Sequence, residues 1–126
     1  MYSRTAPLEE IKAVTRDTAN QAALRVMLSH QVSVSIIEQS VEANYDMLLA
    51  GHTHGGQIRV PLFFTKFSAP DFETQYVAGQ YYRGDLLINI NHGLGFTLAP
   101  VRYNAPPNIT VIEITAKTTI ALGILW

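Results

Sequence analysis

The stretch that decides the fold runs from Leu48 to Pro61 and reads LLAGHTHGGQIRVP. A hydrophobic run ends at Gly51, and two histidines, His52 and His54, follow with one residue between them. Neutral imidazole is a strong ligand for zinc, manganese and iron, so the pair is a candidate metal site. His-x-His also arises by chance, and most lone histidines are surface or hydrogen-bonded core residues. The surrounding sequence therefore decides between a ligand pair and ordinary histidines.

Upstream of this motif the sequence alternates between strand and helix patterns. The apolar run LRVMLSH (24–30) has the length of a buried strand, and YDMLLAG (45–51) predicts a second one. The segment between them begins with strand-like alternation but continues with helical spacing, and we favour a helix over about 33–43. This order predicts a βαβ unit with parallel strands that end at the same edge of the sheet. His30 and His52 would meet at that edge, where open α/β sheets bind their ligands.

The flanking regions complete a mixed α/β (α+β) domain. Residues 6–24 predict a helix, with a break plausible in the threonine-rich second half. After the motif, strand patterns alternate with loops. The predicted strands are QIRVP (57–61), TQYVAGQYYRG (74–84), DLLININ (85–91) and NITVIEIT (108–115), with a hairpin turn at 83–85 and loops over 61–72 and 92–107. We interpret 1–126 as a single domain, with a helical lead-in (1–23), a metal-ligand βαβ unit (24–56) and a β-rich layer (57–126).

Composition excludes several classes of protein. The chain has 126 residues, a net charge of −1 and no cysteine. Without a basic stripe, nucleic acid is not an expected partner, and without cysteine any metal needs histidine, carboxylate, amide or water ligands. No apolar run reaches the ~18–20 residues of a membrane helix, and the first residues do not resemble a secretory signal. We expect a cytoplasmic or peripheral membrane location, and nothing in the sequence supports membrane association.

Local geometry gives the residues around the histidines distinct roles. In an extended segment His52 and His54 would point to the same side, towards one site or two adjacent ions, and Thr53 would face the other way. Gly51 would let the chain turn sharply. Gly55 and Gly56 would let the backbone approach a ligand or adopt positive φ.

The motif resembles a known family. GHTHGGQ (51–57) is similar to the last metal-binding motif of the calcineurin-like metallophosphoesterase superfamily, in its GHTHGGQ branch. VMLSHQ (26–31) resembles the upstream LSH histidine motif of that branch, and the segments at 77–91 and 92–115 resemble its C-terminal part. The similarity runs from about residue 24 to residue 114 and covers the C-terminal part of the family domain only.

The resemblance implies a fold and a chemistry. The fold is a four-layer αββα sandwich, of which this chain would be the C-terminal half, with one βαβ unit followed by mostly antiparallel strands. By the family's pattern His30 and His52 ligate one divalent ion and His54 the other, the metals being manganese, iron or zinc. Two such ions activate a bridging hydroxide and polarise the phosphoryl group of a phosphodiester or pyrophosphate.

Five residues are candidates for contact with a phosphoester substrate. The resemblance implies that Gly55, Gly56 and Gln57 line the substrate side. His92 stands where relatives usually carry arginine, so it either reaches a phosphate or is an ordinary loop histidine. Arg102 either contacts a substrate anion or is an exposed or ion-paired arginine.

The resemblance also implies ligands that lie elsewhere in the family domain. The motifs D-x-H, G-D-x-x-D/N and G-N-H-D/E precede the LSH motif in the family, and they supply the bridging carboxylate and the histidine that assists the leaving group. The 29 residues before His30 contain no histidine and only one aspartate, Asp17. We therefore expect at most one ion per chain and no activity from the chain alone.

An incomplete site predicts partners. A sheet without its first strands leaves an exposed edge and an uncovered apolar face, which favour self-association or pairing with the missing N-terminal half. Four phenylalanines at 63, 64, 67 and 72 either contact lipid or close over the core, and we favour the core. The alternative function is a degenerate domain that binds a metal or a partner without turnover.

Overall fold

The computed structural model describes residues 6–16, 23–62, 65–67 and 75–115. In chain order the elements are α1 (Leu8–Arg16), β1 (Val26–Ser29), α2 (Val34–Glu42), β2 (Met47–Ala50), a 3-10 turn (His54–Gly56), β3 (Val60–Leu62), β4 (Thr65–Phe67), β5 (Gly79–Arg83) and β6 (Leu86–Ile90). The mixed α/β fold class is thus confirmed. Within the described ranges, no helix has the length and apolarity to cross a bilayer.

The predicted βαβ unit is present. Strand β1 pairs in parallel with β2, and their last partners are Ser29 and Ala50. Strand β2 also pairs in parallel with β6, which pairs antiparallel with β5, so the sheet has the order β1-β2-β6-β5. Strands β1 and β2 therefore end level with each other, which places the residues that follow them side by side.

Helix α2 forms in a segment whose sequence shows both strand-like alternation and helical spacing of apolar residues. Ser33 adopts an extended backbone (φ −128°, ψ 161°), and its hydroxyl accepts a hydrogen bond from the Ile36 amide. This N-cap satisfies one of the amide groups that the first helical turn leaves unpaired. Ile37 and Ser40 are buried, and the Ser40 hydroxyl donates to the Ile36 carbonyl at 2.7 Å. The prediction of a helix over about 33–43 is confirmed.

The main core lies between α2 and one face of the sheet. Met27, Leu48 and Ile88 are in register on β1, β2 and β6, so their side chains share this face. Leu48 and Ile88 are fully buried in a cluster with Ile37 of α2. The core therefore rests on the two central strands, and β1 lies at the edge.

The opposite face of the sheet is covered unevenly. Val26 and Leu28 alternate with Met27 along β1 and lie on this second face, where they are 37% and 74% exposed. Next to them on the same face, Leu49 of β2 and Leu87 of β6 are only half-buried. An apolar surface thus spans three strands.

The β-rich second half differs in part from expectation. The hairpin is confirmed, because β5 and β6 join through Gly84 with Arg83 opposite Leu86. The strand predicted over 74–84 shortens to Gly79–Arg83, and that over 57–61 starts only at Val60. The predicted loop over 61–72 is wrong where it is described, since β3 and β4 pair antiparallel there. The residues at 63–64 and 68–72, with most of the phenylalanines, lie outside the described residues, as do residues 17–22, which hold most of the threonine-rich half in which a break was expected.

The strand predicted over 108–115 is wrong. These residues join neither sheet and are held near the site by a side-chain bond from Asn91 Nδ2 to Thr110 Oγ1 of 2.7 Å and by the Asn108 amide on the Gly93 carbonyl. Val111 is 88% exposed, and the isoleucines around it are exposed as well. Alternation marks a segment that can pair, but it does not supply the partner strand that a sheet also needs.

The two faces of the sheet predict different responses to the same truncation. Leu48→Ala removes a fully buried side chain and should lower the free energy of unfolding by about 2–5 kcal/mol. Leu28→Ala is the matched control on the neighbouring strand, and because Leu28 is exposed the change should stay within about 0.5 kcal/mol. Urea unfolding of both variants measures the difference, and equal losses would contradict this assignment of the core.

Candidate metal centre

His30 and His52 meet at the carboxyl ends of β1 and β2. His52 Nδ1 lies 2.8 Å from His30 Nε2, and the two rings meet edge to face with centroids 4.6 Å apart. The Gly51 amide donates to the His30 carbonyl, which ties the two strand ends together. The level ends of two parallel strands therefore bring together histidines that are 22 residues apart in sequence.

The donor set of this pair fits a divalent metal ion. Two nitrogens that ligate one ion tetrahedrally at about 2.0–2.1 Å lie about 3.3 Å apart, so the observed 2.8 Å needs only a small outward shift of the rings. His30 is exposed and His52 half-buried, so an ion can reach the pair from solvent. Imidazole nitrogens suit zinc, manganese and iron at neutral pH.

The segment after His52 is a tight turn and not the extended strand we expected. His52 and His54 both have positive φ, 68° and 51°, and Thr53 between them is helical. The left-handed backbone thus begins at His52, one residue after the Gly51 that we expected to make the turn. The same-side argument fails because it holds only for extended backbone.

His54 is consequently separated from the other two histidines. Its ring lies near Gly95, where a Cβ would come within 3.6 Å of His54 Cε1. Across the described ranges, no three histidine or acidic side chains gather into a group that could hold one ion. The assignment of His54 to a different ion from His30 and His52, which the resemblance implies, stays a prediction. Thr53 faces away as expected, buried with its hydroxyl donating to the Val77 carbonyl.

Gly55 and Gly56 have the positive φ that we predicted, 65° and 86°, and both are buried. A Cβ on Gly55 would lie 2.6 Å from Cγ of His92, so the His92 ring lies directly against the backbone of the turn. His92 Nδ1 is 2.8 Å from the Pro106 carbonyl, which can only accept. Nδ1 therefore carries the proton, and in the neutral ring Nε2 keeps its lone pair.

Gln57 and Arg102 are both engaged in structure. The Gln57 amide donates to the carbonyls of Thr97 and Ala99 and accepts from the Thr97 amide at 2.6 Å. Arg102 is half-buried and donates to five backbone carbonyls, including that of His54 at 2.9 Å. The sequence suggested an anion contact, an exposed arginine or an ion pair for Arg102. It did not suggest this arrangement, because every residue has a backbone carbonyl and the sequence does not show which carbonyls come near the side chain. Substrate contact by either residue stays a prediction.

Comparison with known proteins finds metallophosphoesterases that are similar to this chain. The metallophosphoesterase YkuE of Bacillus subtilis strain 168, itself uncharacterized, is 36% identical over 94 residues, which are 75% of this chain and 31% of that protein. The phosphodiesterase YaeI of Escherichia coli K12 is 37% identical over 90 residues, 71% of this chain and 32% of the relative. This chain resembles the C-terminal part of a metallophosphoesterase.

The resemblance is partial in length. YkoQ of Bacillus subtilis, a further uncharacterized metallophosphoesterase, is 31% identical over 90 residues and is covered over 33% of its length. The chain thus spans about a third of each of these metallophosphoesterases. No protein-family model and no solved structure matches it.

Two glycines with similar backbones test the contact between Gly55 and His92. Gly55→Ala should cost about 1–2 kcal/mol for a side chain at positive φ, and more because the new methyl group meets the His92 ring. Gly84→Ala is the matched control, with φ +59° and no atom within 4 Å of its Cβ, so only the backbone penalty applies. His92→Ala added to Gly55→Ala should recover part of the excess. Equal unfolding free energies for the two single variants would exclude the contact.

Proposed function

We propose that this chain supplies part of the metal site of a metal-dependent phosphoesterase. The observation that supports the proposal most directly is the contact between His30 and His52 at the ends of two parallel strands, in a chain that is similar to metallophosphoesterases. His30 Nε2 and His52 Nδ1 would hold one divalent ion, and His54 would serve a second. The substrate would be a phosphodiester or a pyrophosphate.

The residues around the site would orient a phosphoryl group. When bound, divalent ions supply Lewis acidity that polarises phosphoryl oxygens and stabilises the charge that develops on them. Gly55 brings backbone instead of a side chain to the turn, which leaves room for the His92 ring directly against it. His92, with Nδ1 held by Pro106, is positioned to offer Nε2 to a phosphate oxygen when protonated.

The remaining ligands would come from the part of the domain that the relatives have beyond the matched third. Imidazoles without a bridging carboxylate bind a single ion at most, so we propose that the chain holds no more than one. Two surfaces fit a polypeptide that carries the carboxylates: the apolar sheet face with Val26 and Leu28, and the unpaired segment 108–115. Burial of this area would offset the ordering cost of association.

Metal stoichiometry tests the ligand assignment. Titration of the chain with Zn²⁺ or Mn²⁺ in a calorimeter should give at most one ion per chain, and His30→Ala or His52→Ala should abolish that binding. His54→Ala is the matched histidine control, and because His54 lies apart from the pair, binding should persist. Two tightly bound ions in the wild-type chain, or loss of binding only in His54→Ala, would overturn the assignment.

Reconstitution tests the function. The chain alone should not hydrolyse bis-p-nitrophenyl phosphate with Mn²⁺, because the bridging carboxylate is supplied elsewhere. Mixing it with the non-matching two thirds of the Bacillus subtilis relative YkuE should give a complex in analytical ultracentrifugation and Mn²⁺-dependent turnover that His52→Ala removes.

A pair of variants distinguishes binding through the apolar sheet face from non-specific association. Leu28→Arg should prevent the complex by placing a charge on the apolar sheet face, while Glu38→Arg, on an exposed position of α2, should leave it intact. Turnover by the chain alone that His52→Ala abolishes would refute the need for the second part. Self-association of the chain, without a complex, would assign the surface to a second copy.

A second function has its own supporting observation. Since no group of three ligating side chains occurs in the ranges that the structure describes, the chain also fits a non-catalytic domain that binds a metal or a partner without turnover. A complex that forms, depends on Leu28 and shows no hydrolysis would favour this alternative.

A further inference from the structure

We propose that Arg102 is a positioning residue: its guanidinium group locks the turn that carries His54 to the loop that carries His92. The positioning itself follows from contacts within the chain, and only its value for catalysis rests on the proposed function. Nη1 donates to the carbonyls of His54 (2.9 Å) and Ala105 (3.0 Å), and Nη2 donates to those of His92 (3.0 Å), Gly93 (3.2 Å) and Gly95 (2.6 Å). We call these six residues the Arg102 cluster.

The cluster needs a cation at its centre. Five carbonyl oxygens that converge on one position point their negative ends at each other, an arrangement that is unfavourable without a donor between them. The guanidinium group is planar, permanently charged and rich in donors, so a single side chain can satisfy acceptors from several directions. A lysine ammonium has three donors on one nitrogen and cannot span the same set of carbonyls.

Among the described residues the charge of Arg102 faces these carbonyl dipoles, and no ion pair to an acidic side chain is found there. The salt bridge found among the described residues joins Lys12 to Glu9 on α1, far from the loop in sequence. The Arg102 guanidinium carbon lies 5.8 Å from the centroid of the Phe96 ring, a distance typical of a cation–π contact. A half-buried cation that binds carbonyls from several segments is suited to hold loops together.

The cluster joins two segments that Gln57 also links further along the chain, and it does so at the residues that carry the two histidines. The His54 carbonyl belongs to a turn with positive φ at His52 and His54, a backbone that persists only when its surroundings fix it. The other segment, 92–95, brings the His92 ring against Gly55 and places Gly95 beside the His54 ring. Arg102 therefore sets the positions of two candidate site histidines without touching either ring.

The first test uses the unmodified protein. At low temperature, nitrogen-15 NMR should show separate Nη resonances with slow hydrogen exchange for Arg102, because five acceptors restrict rotation of the guanidinium group. Arg83, which is exposed in the hairpin, is the internal reference and should give averaged, fast-exchanging signals. Averaged signals for Arg102 would overturn the proposal, and this test holds even where a variant does not fold.

The second test compares Arg102→Gln, Arg102→Lys and the control Arg83→Gln. Ring nitrogen spectra of Arg102→Gln should show shifted His54 and His92 resonances and loss of the single Nδ1-protonated form of His92, with His30 and His52 unchanged. Arg102→Lys should behave like Arg102→Gln, because a lysine ammonium keeps the charge but cannot span the same set of carbonyls, and Arg83→Gln should match the wild type. Unchanged His54 and His92 spectra in Arg102→Gln, or full rescue by Arg102→Lys, would contradict the proposal.

Activity of the reconstituted complex separates this proposal from the proposed function. In that complex Arg102→Gln should lower kcat about 10- to 100-fold, the range found when residues that orient ligands are removed. The ring spectra do not depend on turnover, so a complex without hydrolysis defeats the proposed function and leaves the role of Arg102 open to measurement. Normal hydrolysis together with unchanged ring spectra in Arg102→Gln defeats the role of Arg102 alone.

Discussion

The parallel pairing of β1 with β2 is the constraint on which the site depends. Because the two strands end level, with Ser29 opposite Ala50, the residues that follow them emerge at one edge of the sheet. The strand ends alone bring His30 and His52 together, and their ring nitrogens lie 2.8 Å apart. Helix α2 makes this pairing possible by crossing from one strand to the next, capped by Ser33 and anchored by Ile37. The chemistry of the edge is thus a consequence of backbone topology.

In the segments that follow that edge, polar side chains hydrogen-bond to the backbone of other segments. Gln57 closes on the 97–99 segment, Arg102 gathers five carbonyls, and the amide of Tyr103 donates to the Gln57 carbonyl. The long glycine- and proline-rich loop is therefore fixed against the histidine turn without a strand of its own. A site built on irregular backbone requires such contacts, since loops lack the repeating hydrogen bonds of helices and sheets.

The surfaces left apolar have a common origin. Leu28 on the second sheet face and Val111 in the unpaired segment both lie where the core stops, and the chain corresponds to about a third of the metallophosphoesterases that it resembles. Apolar area of this kind is typical of surfaces that associate with another polypeptide, and it supports the docking surface that we propose.

The sequence by itself determined the βαβ unit, the helix between its strands, the hairpin at Gly84 and the meeting of His30 with His52. Each of these follows from local spacing combined with the handedness and parallel pairing of one unit. Only the tertiary structure decided that His52 and His54 lie in a left-handed turn, that Arg102 binds carbonyls, and that 108–115 has no partner strand. Those features depend on which backbone groups from distant segments come within hydrogen-bonding reach, and a carbonyl carries no signal in the amino-acid sequence.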